Sequence, residues 1–373
     1  MSRLTVTLTE FSEHQMPLLE KVWIELQQNS EQSFFTSWHW ISTWLKYINF
    51  KTDLIKVLDG DEVVGLGLLC FKSNRKYGVT SRQAWLNRTG DGVKDQIWLE
   101  YNDVLCAKHR AWAVRAALAD YFEHALHQCD ELMVGVSNSE LIEIPRASTL
   151  MQHTSWETVS YATHLQSAFA NLDCFLNTLS ANTRSQIRRT QKLYSQRGAI
   201  KLTKASSTEE ALMMLNEVSI LHLARWGKIN SGFENPEFFR FHVQLIKDNF
   251  NSEAIDILKL TVGELTIGYL YNLIYQDQVY FYLSGINYEK DNRIKPGLLI
   301  HSLATAYYAE KGYSTYDYMG GEGRYKKSLS SHSNKMIISS IRRKKPHFLL
   351  SYCIHKLKSR FTNQKSISNC TND

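Results

Sequence analysis

Residues 55–68 read IKVLDGDEVVGLGL and residues 258–271 read LKLTVGELTIGYLY. Laid over each other without a gap, at an offset of 203 residues, they set Lys56 on Lys259, Gly60 on Gly263, Asp61 on Glu264, Val64 on Ile267 and Gly65 on Gly268. In both, alternating apolar residues run into a glycine-plus-acid turn and out into a second apolar run, which is the pattern of a β-hairpin. The same offset sets Phe35 on Phe238, Trp38 on Phe241 and His39 on His242, inside SFFTSWHWISTWLKYI and PEFFRFHVQLIKDNF, two aromatic segments with helical apolar spacing. Any hairpin carries a turn glycine and any helix can carry aromatics, but two elements agreeing at one offset point to a duplicated unit. A period near 200 is too long for a solenoid and suits a tandem pair of domains.

Working outward, the first half reads as a helix over 37–49, the hairpin over 54–72, strand-like stretches over 83–87 and 97–106, a helix over 110–128 and a strand over 132–136. The second half reads as helices over 182–196 and 208–225, the hairpin over 255–274, a strand over 279–285, a helix over 296–311, and strands over 315–319 and 335–342. Strands interleaved with helices predict an α/β (α+β) fold, each half a mixed sheet flanked by helices. The expected division is 1–165, 166–342 and a basic tail, 343–373.

The 373-residue chain is 43% apolar and 12% aromatic, enough to fill two ordinary cores, so it reads as globular rather than disordered. Its net charge of +6 is concentrated in residues 342–373, where eight Lys or Arg face only Asp373, leaving the body at −1. A nucleic-acid-binding body would show a spread or striped excess instead. The tail sequence RRKKPHFLLSYCIHKLKSRF mixes cations with apolar residues, so residues 342–361 fit either contact with an anionic membrane surface or packing as a last helix. Six cysteines without a CxxC pair argue against a disulfide framework or a zinc site, and no metal is expected. A polar N-terminus and the lack of any 18-residue apolar run predict a cytoplasmic protein, peripheral at most to the inner face of the membrane.

The stretch from Val279 to Lys327 holds the densest chemistry. Lys295, Pro296, Gly297 and Leu298 open a helix whose free early N–H groups suit a pyrophosphate, with Leu299, Leu303 and Ala306 as its inward face; a well-capped helix is the plainer reading. Along 315–319, Thr315, Asp317 and Met319 share one face, and Tyr316 and Tyr318 the other. A carboxylate in a short buried strand is costly unless paired or used. Beyond it, Glu322, Arg324, Tyr325 and Lys326 crowd three glycines, which supplies an acid, a phenol and cations for acid–base work or simply a solvated turn. GGEGRYKKS does not fit the phosphate loop of an NTPase, and HExxH and GxSxG are absent. Arg184, Arg188 and Lys192 form an i, i+4, i+8 row that can hold phosphates or face solvent. Asn102 and Asp103 either line a groove or make an Asx turn.

Taken in order, SFFTSWHWISTW, EYNDVL (100–105), NTRSQIRRTQKLYSQRG (182–198), and the KPG helix followed by YDYMGGEGRYKKSL (316–329) resemble the CelD/BioF-like acetyltransferase domain of the GNAT superfamily, a relative of the FemAB peptidyltransferases. The resemblance spans roughly residues 30 to 340. It implies two tandem GNAT-like domains and an acyltransferase (transferase, N- or O-acetyl or longer acyl) that uses acyl-CoA as co-substrate. The acceptor would be an amine or hydroxyl on a small molecule or a glycan- or lipid-linked species, in cell-envelope or polysaccharide biosynthesis. The strict [QR]xxGx[GA] signature is missing; KDNRIKPG stands in its place. That departure leaves two alternatives open: an aminoacyl-tRNA donor, or a non-catalytic scaffold that binds a glycan or lipid precursor. With a thioester donor, Asp317 or Glu322 would accept the nucleophile's proton and Tyr325 would protonate the leaving thiolate. Residues 295–298 would hold the donor, while Asn102, Asp103, Arg184, Arg188 and Lys326 would bind substrate.

Overall fold

The computed structural model describes residues 4–30, 32–76, 79–138, 148–346 and 348. The first half contains β1 (Thr5–Phe11), α1 (Met16–Gln28), α2 (Trp38–Ile48), β2 (Thr52–Asp59), β3 (Glu62–Lys76), β4 (Val79–Leu86), β5 (Leu105–Cys106), α3 (Ala111–His124), β6 (Glu131–Asn138) and β7 (Leu150–His164). The second contains α4 (Leu172–Thr178), α5 (Ala181–Ser195), β8 (Ile200–Lys204), α6 (Thr208–Asn230), α7 (Pro236–Asn249), β9 (Ile255–Val262), β10 (Leu265–Tyr275), β11 (Gln278–Ile286), α8 (Pro296–Glu310), β12 (Thr315–Gly320), α9 (Arg324–Leu329) and β13 (His332–Arg343). The fold is mixed α/β, as the interleaved pattern requires.

All the strands join one sheet in the order β1-β2-β3-β4-β6-β13-β7-β12-β11-β10-β9-β8, with β5 added on β3. The two hairpins occupy corresponding places at its two ends, and their turn glycines, Gly60 and Gly263, take φ of 63° and 56°, a left-handed conformation that only glycine adopts without strain. At the centre, β7 and β13 pair antiparallel from Leu150↔Arg343 to Ala162↔His332. Each crosses over: β7 follows β6 in the chain but lies on β12, and β13 follows β12 but lies on β6. Neither half therefore completes its own sheet.

One core, on one face of the sheet, is shared by both halves. The aromatic helices α2 and α7 meet there, with the Trp40 and Phe241 rings 4.8 Å apart, and Phe35 lies 6.1 Å from Tyr280. Trp40 is fully buried, and truncating such a side chain costs roughly 3–5 kcal/mol. The other face carries separate cores, one around α3 and one around α8. On α8 the buried residues include Leu299, Ile300, Ala304 and Tyr308, whereas Leu303 and Ala306 are only half-buried, a rotation from the expected inward face.

One further expectation is corrected. Residues 97–106 form no strand beyond β5, because Trp98 and Tyr101 take φ of 49° and 50° and turn the chain. The cations at the start of the basic tail are bound to the first half. Arg342 pairs with Glu131 at 2.7 Å, and Lys345 pairs with Asp130. Arg343 donates to the Phe122 and Glu123 carbonyls at 2.6 and 2.9 Å, satisfying groups that α3 leaves unpaired at its C-terminus. Of the segment proposed for membrane contact, residues 347 and 349–361 lie outside the described residues. Among the described residues, no helix is long and apolar enough to cross a membrane.

Candidate active site

Two pairs of parallel strands, one in each half, start together and then diverge. In the second half, β11 and β12 pair only at Gln278↔Thr315, Val279↔Tyr316 and Tyr280↔Asp317. Past that point the strands splay, and their inner edges carry backbone groups with no strand between them. A cavity of about 410 Å³ opens there, lined by Ser284 and Ile286 of β11, by Gly297, Leu298 and His301 of α8, and by Tyr325. No side chain caps the α8 N-terminus. The Lys295 N–H is engaged by the Thr190 hydroxyl at 2.8 Å and Pro296 has no N–H, so the unpaired donors are those of Gly297 and Leu298.

At the apex of this splay Asp317 is buried, as the strand alternation predicts, and faces away from Tyr316 and Tyr318, which sit in the α8 core. Its carboxylate accepts from the Tyr101 hydroxyl at 2.7 Å and from the Met319 amide at 2.6 Å. Burial pushes its pKa up to about 7 despite those two donors. Glu100, the neighbour of Tyr101, is also held above the usual carboxylate range by burial, and accepts from the Gly320 amide at 2.8 Å. Gly320 packs closely on this group: a Cβ there would lie 3.2 Å from the Glu100 carboxylate, which would have to shift slightly. Lys326 donates inward to the Gly320 carbonyl at 2.5 Å, and burial lowers its pKa, with Glu100 and Asp317 opposing. The Tyr325 ring stacks on His301 at 5.1 Å; burial raises its phenol pKa, so the proton stays on at neutral pH.

On the face that Asp317 looks toward lies a larger cleft of about 940 Å³ between the halves, lined by Asp317, Tyr101, Tyr280, Asn102 and Asp103 among others. Asp317 thus stands where the cleft between the halves meets the open splay.

In the first half the corresponding pair, β4 and β6, touches at Gln83↔Glu131, Ala84↔Leu132 and Trp85↔Met133 and then splays too. That gap is filled by Asn102. Its side-chain amide donates to the Leu86 carbonyl on β4 at 2.8 Å and the Gly135 carbonyl on β6 at 3.2 Å, its backbone N–H reaches the Val136 carbonyl at 2.8 Å, and Asn87 donates to its side-chain oxygen at 3.0 Å. Asp103 beside it is ion-paired with Arg115. The tetrapeptide Glu100–Asp103 therefore serves both splays, completing one and closing the other.

The remaining sequence candidates fall outside this cluster. Glu322 is exposed and lines neither cavity. Arg188 pairs with Asp173 at 2.8 Å and Arg184 points to the Asn177 carbonyl at 3.4 Å, on the solvent side of α5. Glu100, Tyr101, Tyr280 and His301 were not singled out in the sequence. Only the grouping of Glu100 and Tyr101 within EYNDVL hinted at the first two.

Residues 181–327 match the family description of an acetyltransferase (GNAT) domain. That segment is a GNAT domain. That match covers the open splay, α8 and the apex, while the first half repeats the same order of strands around its closed splay. By sequence, no curated protein matches the chain. Among solved structures, the chain is similar to FemX, at 11% identity over 92% of this chain and 99% of that one, with a TM-score of 0.55. It is also similar to a conserved protein of unknown function from Bacteroides thetaiotaomicron (11%, 91% and 100%, TM-score 0.52). A third is the C-terminal domain of a putative lysylphosphatidylglycerol synthetase from Agrobacterium fabrum (8%, 90% and 95%, TM-score 0.51). At these identities the likeness concerns the fold alone.

Proposed function

We propose that this protein is an acyltransferase that binds an acyl-CoA thioester in the open splay between β11 and β12 and an acceptor amine or hydroxyl in the cleft between the halves. The observation that carries this is the position of Asp317, a buried carboxylate with a pKa near 7 that lines the cleft between the halves and is the last residue of β12 paired with β11 before the splay. A base works best when its pKa lies near the operating pH. In the proposed step the acceptor's N–H or O–H attacks the thioester carbonyl carbon, the carbon–sulfur bond breaks, the nucleophile's proton passes to Asp317, and Tyr325 donates its proton to the leaving thiolate. Solvent then restores both groups. The free edges of the strands offer backbone donors and acceptors to the amides of a pantetheine arm, as an added strand would, and the Gly297 and Leu298 amides offer a phosphate site. Asp317 takes the base role in preference to the exposed Glu322, and Lys326 orders the apex instead of binding an anion. An acceptor in cell-envelope or polysaccharide chemistry is kept as the reading of the family resemblance.

A second reading, aminoacyl-tRNA as donor, is favoured by the likeness to FemX along the whole chain. The near-neutral body weighs against it. The test is a thermal-shift panel on the full chain with acetyl-CoA, longer acyl-CoAs and free coenzyme A, beside tRNA binding at moderate salt. A ligand that binds the native state raises the melting temperature, so stabilisation by coenzyme A thioesters and weak tRNA binding is expected. Tight tRNA binding with no response to coenzyme A would replace the donor; thioester binding without transfer to any acceptor would leave a binding scaffold.

A further inference from the structure

The lining of the donor cavity has a feature the chemistry above does not use. Trp226 and Tyr288, 53% and 49% exposed, both line it, and the Arg225 guanidinium lies between them, 5.7 Å from the Trp226 ring and 4.6 Å from the Tyr288 ring. Large aromatic side chains gain by burial, so two left half-bare at a cavity mouth are ready to be covered. The helix geometry holds them there. α6 breaks at Gly227, whose φ of 66° and ψ of 178° are non-helical, so Trp226 closes the first helical run at the rim of the cavity. Glu289 and Asn292 line the same rim; the Glu289 carboxylate holds Arg197 at 2.6 Å, and its second oxygen and the Asn292 amide oxygen are of the type that accepts from an exocyclic amine. The α8 N-terminus with its two unpaired amides lies beside this group, and a Cβ on Gly297 would come within 3.9 Å of the Tyr288 hydroxyl. A flat ring with an amino group, attached to phosphate, matches that grouping.

We infer that Trp226, Arg225 and Tyr288 form a stacking platform for the adenine end of the donor. The inference rests on the donor cavity proposed above. Adenine is common to coenzyme A and to the 3′ end of an aminoacyl-tRNA, so the platform itself is indifferent to which carries it. A guanidinium flanked by two rings stacks on any π-face and has no preference for an acyl chain.

The experiment is calorimetric titration of the full chain, native and Trp226→Ala, with three probes: coenzyme A, acetyl-pantetheine, which lacks the nucleotide, and a short RNA ending in adenosine. The native protein should bind coenzyme A. Trp226→Ala should weaken that binding roughly tenfold, as loss of one stacked base does, and leave acetyl-pantetheine unchanged. Should the native protein prefer the RNA, the same loss is expected on that probe. Arg225→Lys keeps the charge but not the planar stack, and should lose several-fold on the same probe. Equal affinity of Trp226→Ala and native protein for the bound nucleotide probe would overturn the platform while leaving the donor cavity standing. Equal losses for acetyl-pantetheine would mean the substitution merely disturbs the cavity. Failure of the native protein to bind any of the three would sink both the cavity and the platform.

Discussion

The two splays differ in what stands at the apex and in what fills the gap. In the second half the last paired residue is Asp317, and the gap beyond is a cavity beside an uncapped helix end. In the first half the equivalent residue is Met133, and the gap is occupied by Asn102, bonded to both strands. The same architecture thus yields one site able to admit a donor and one sealed by a carboxamide that satisfies the backbone groups a donor would otherwise pair with. The lesson is that a duplicated fold keeps its scaffold symmetry while a single loop, here residues 100–103, decides which copy stays open.

The largest expected effect is on Asp317. Asp317→Asn should lower turnover about 10²–10⁴-fold, the usual contribution of a positioned base, with coenzyme A affinity within about twofold in the same titration. Met133→Ala, at the equivalent apex, should leave turnover unaffected. A large loss from Met133→Ala would make the two apices functionally alike and break the asymmetry.

Removing the plug should cost stability. Asn102→Ala strips partners from two backbone carbonyls and from Asn87, a penalty of about 3 kcal/mol, to be read from denaturant midpoints at constant m-value. An unchanged midpoint would show that Asn102 does not hold the first splay shut.

The pH dependence has a fixed sign. Asp317 must be ionised to act, so kcat/KM should rise about tenfold per pH unit below about 7 and level off above it. Because the folded-state pKa exceeds the unfolded one, the native state binds more protons between about pH 4 and 7, and Asp317's contribution to stability falls as pH rises through that window. Tyr101→Phe removes a hydrogen bond that favours the carboxylate, so the activity limb should move to higher pH. A limb in the native protein's place after Asp317→Asn would assign the titration elsewhere.

The smallest effect expected is for Glu322→Gln, which should change kcat by less than about twofold because the side chain is exposed and outside both cavities.

What could be read from the sequence follows how local each signal is. The hairpins were legible because a turn glycine and alternating residues sit side by side, and the alternation along 315–319 placed Asp317 on the correct face. The exchange of β7 and β13 was not, since nothing in either strand names its partner. Glu100 and Tyr101 escaped for the same reason: they act through bonds to residues 220 and 216 positions away. Glu322 looked equivalent to Asp317 because it is close in sequence, but Met319 at φ 60° and the register shift between Asp317 and Met319 turn the chain outward before it is reached. The arginine row on α5 has Thr183, Ile187, Thr190 and Tyr194 as its buried side, which leaves the cations on the solvent face.

The asymmetry between the splays is tested most directly by hydrogen exchange on the full chain with and without acetyl-CoA. Protection should appear at residues 284–288 and 297–299 and be absent at residues 86–88 and 135–137, where Asn102 already fills the gap by donating to the Leu86, Gly135 and Val136 carbonyls. Protection confined to the first half's segments would contradict the assignment of the donor to the β11–β12 opening.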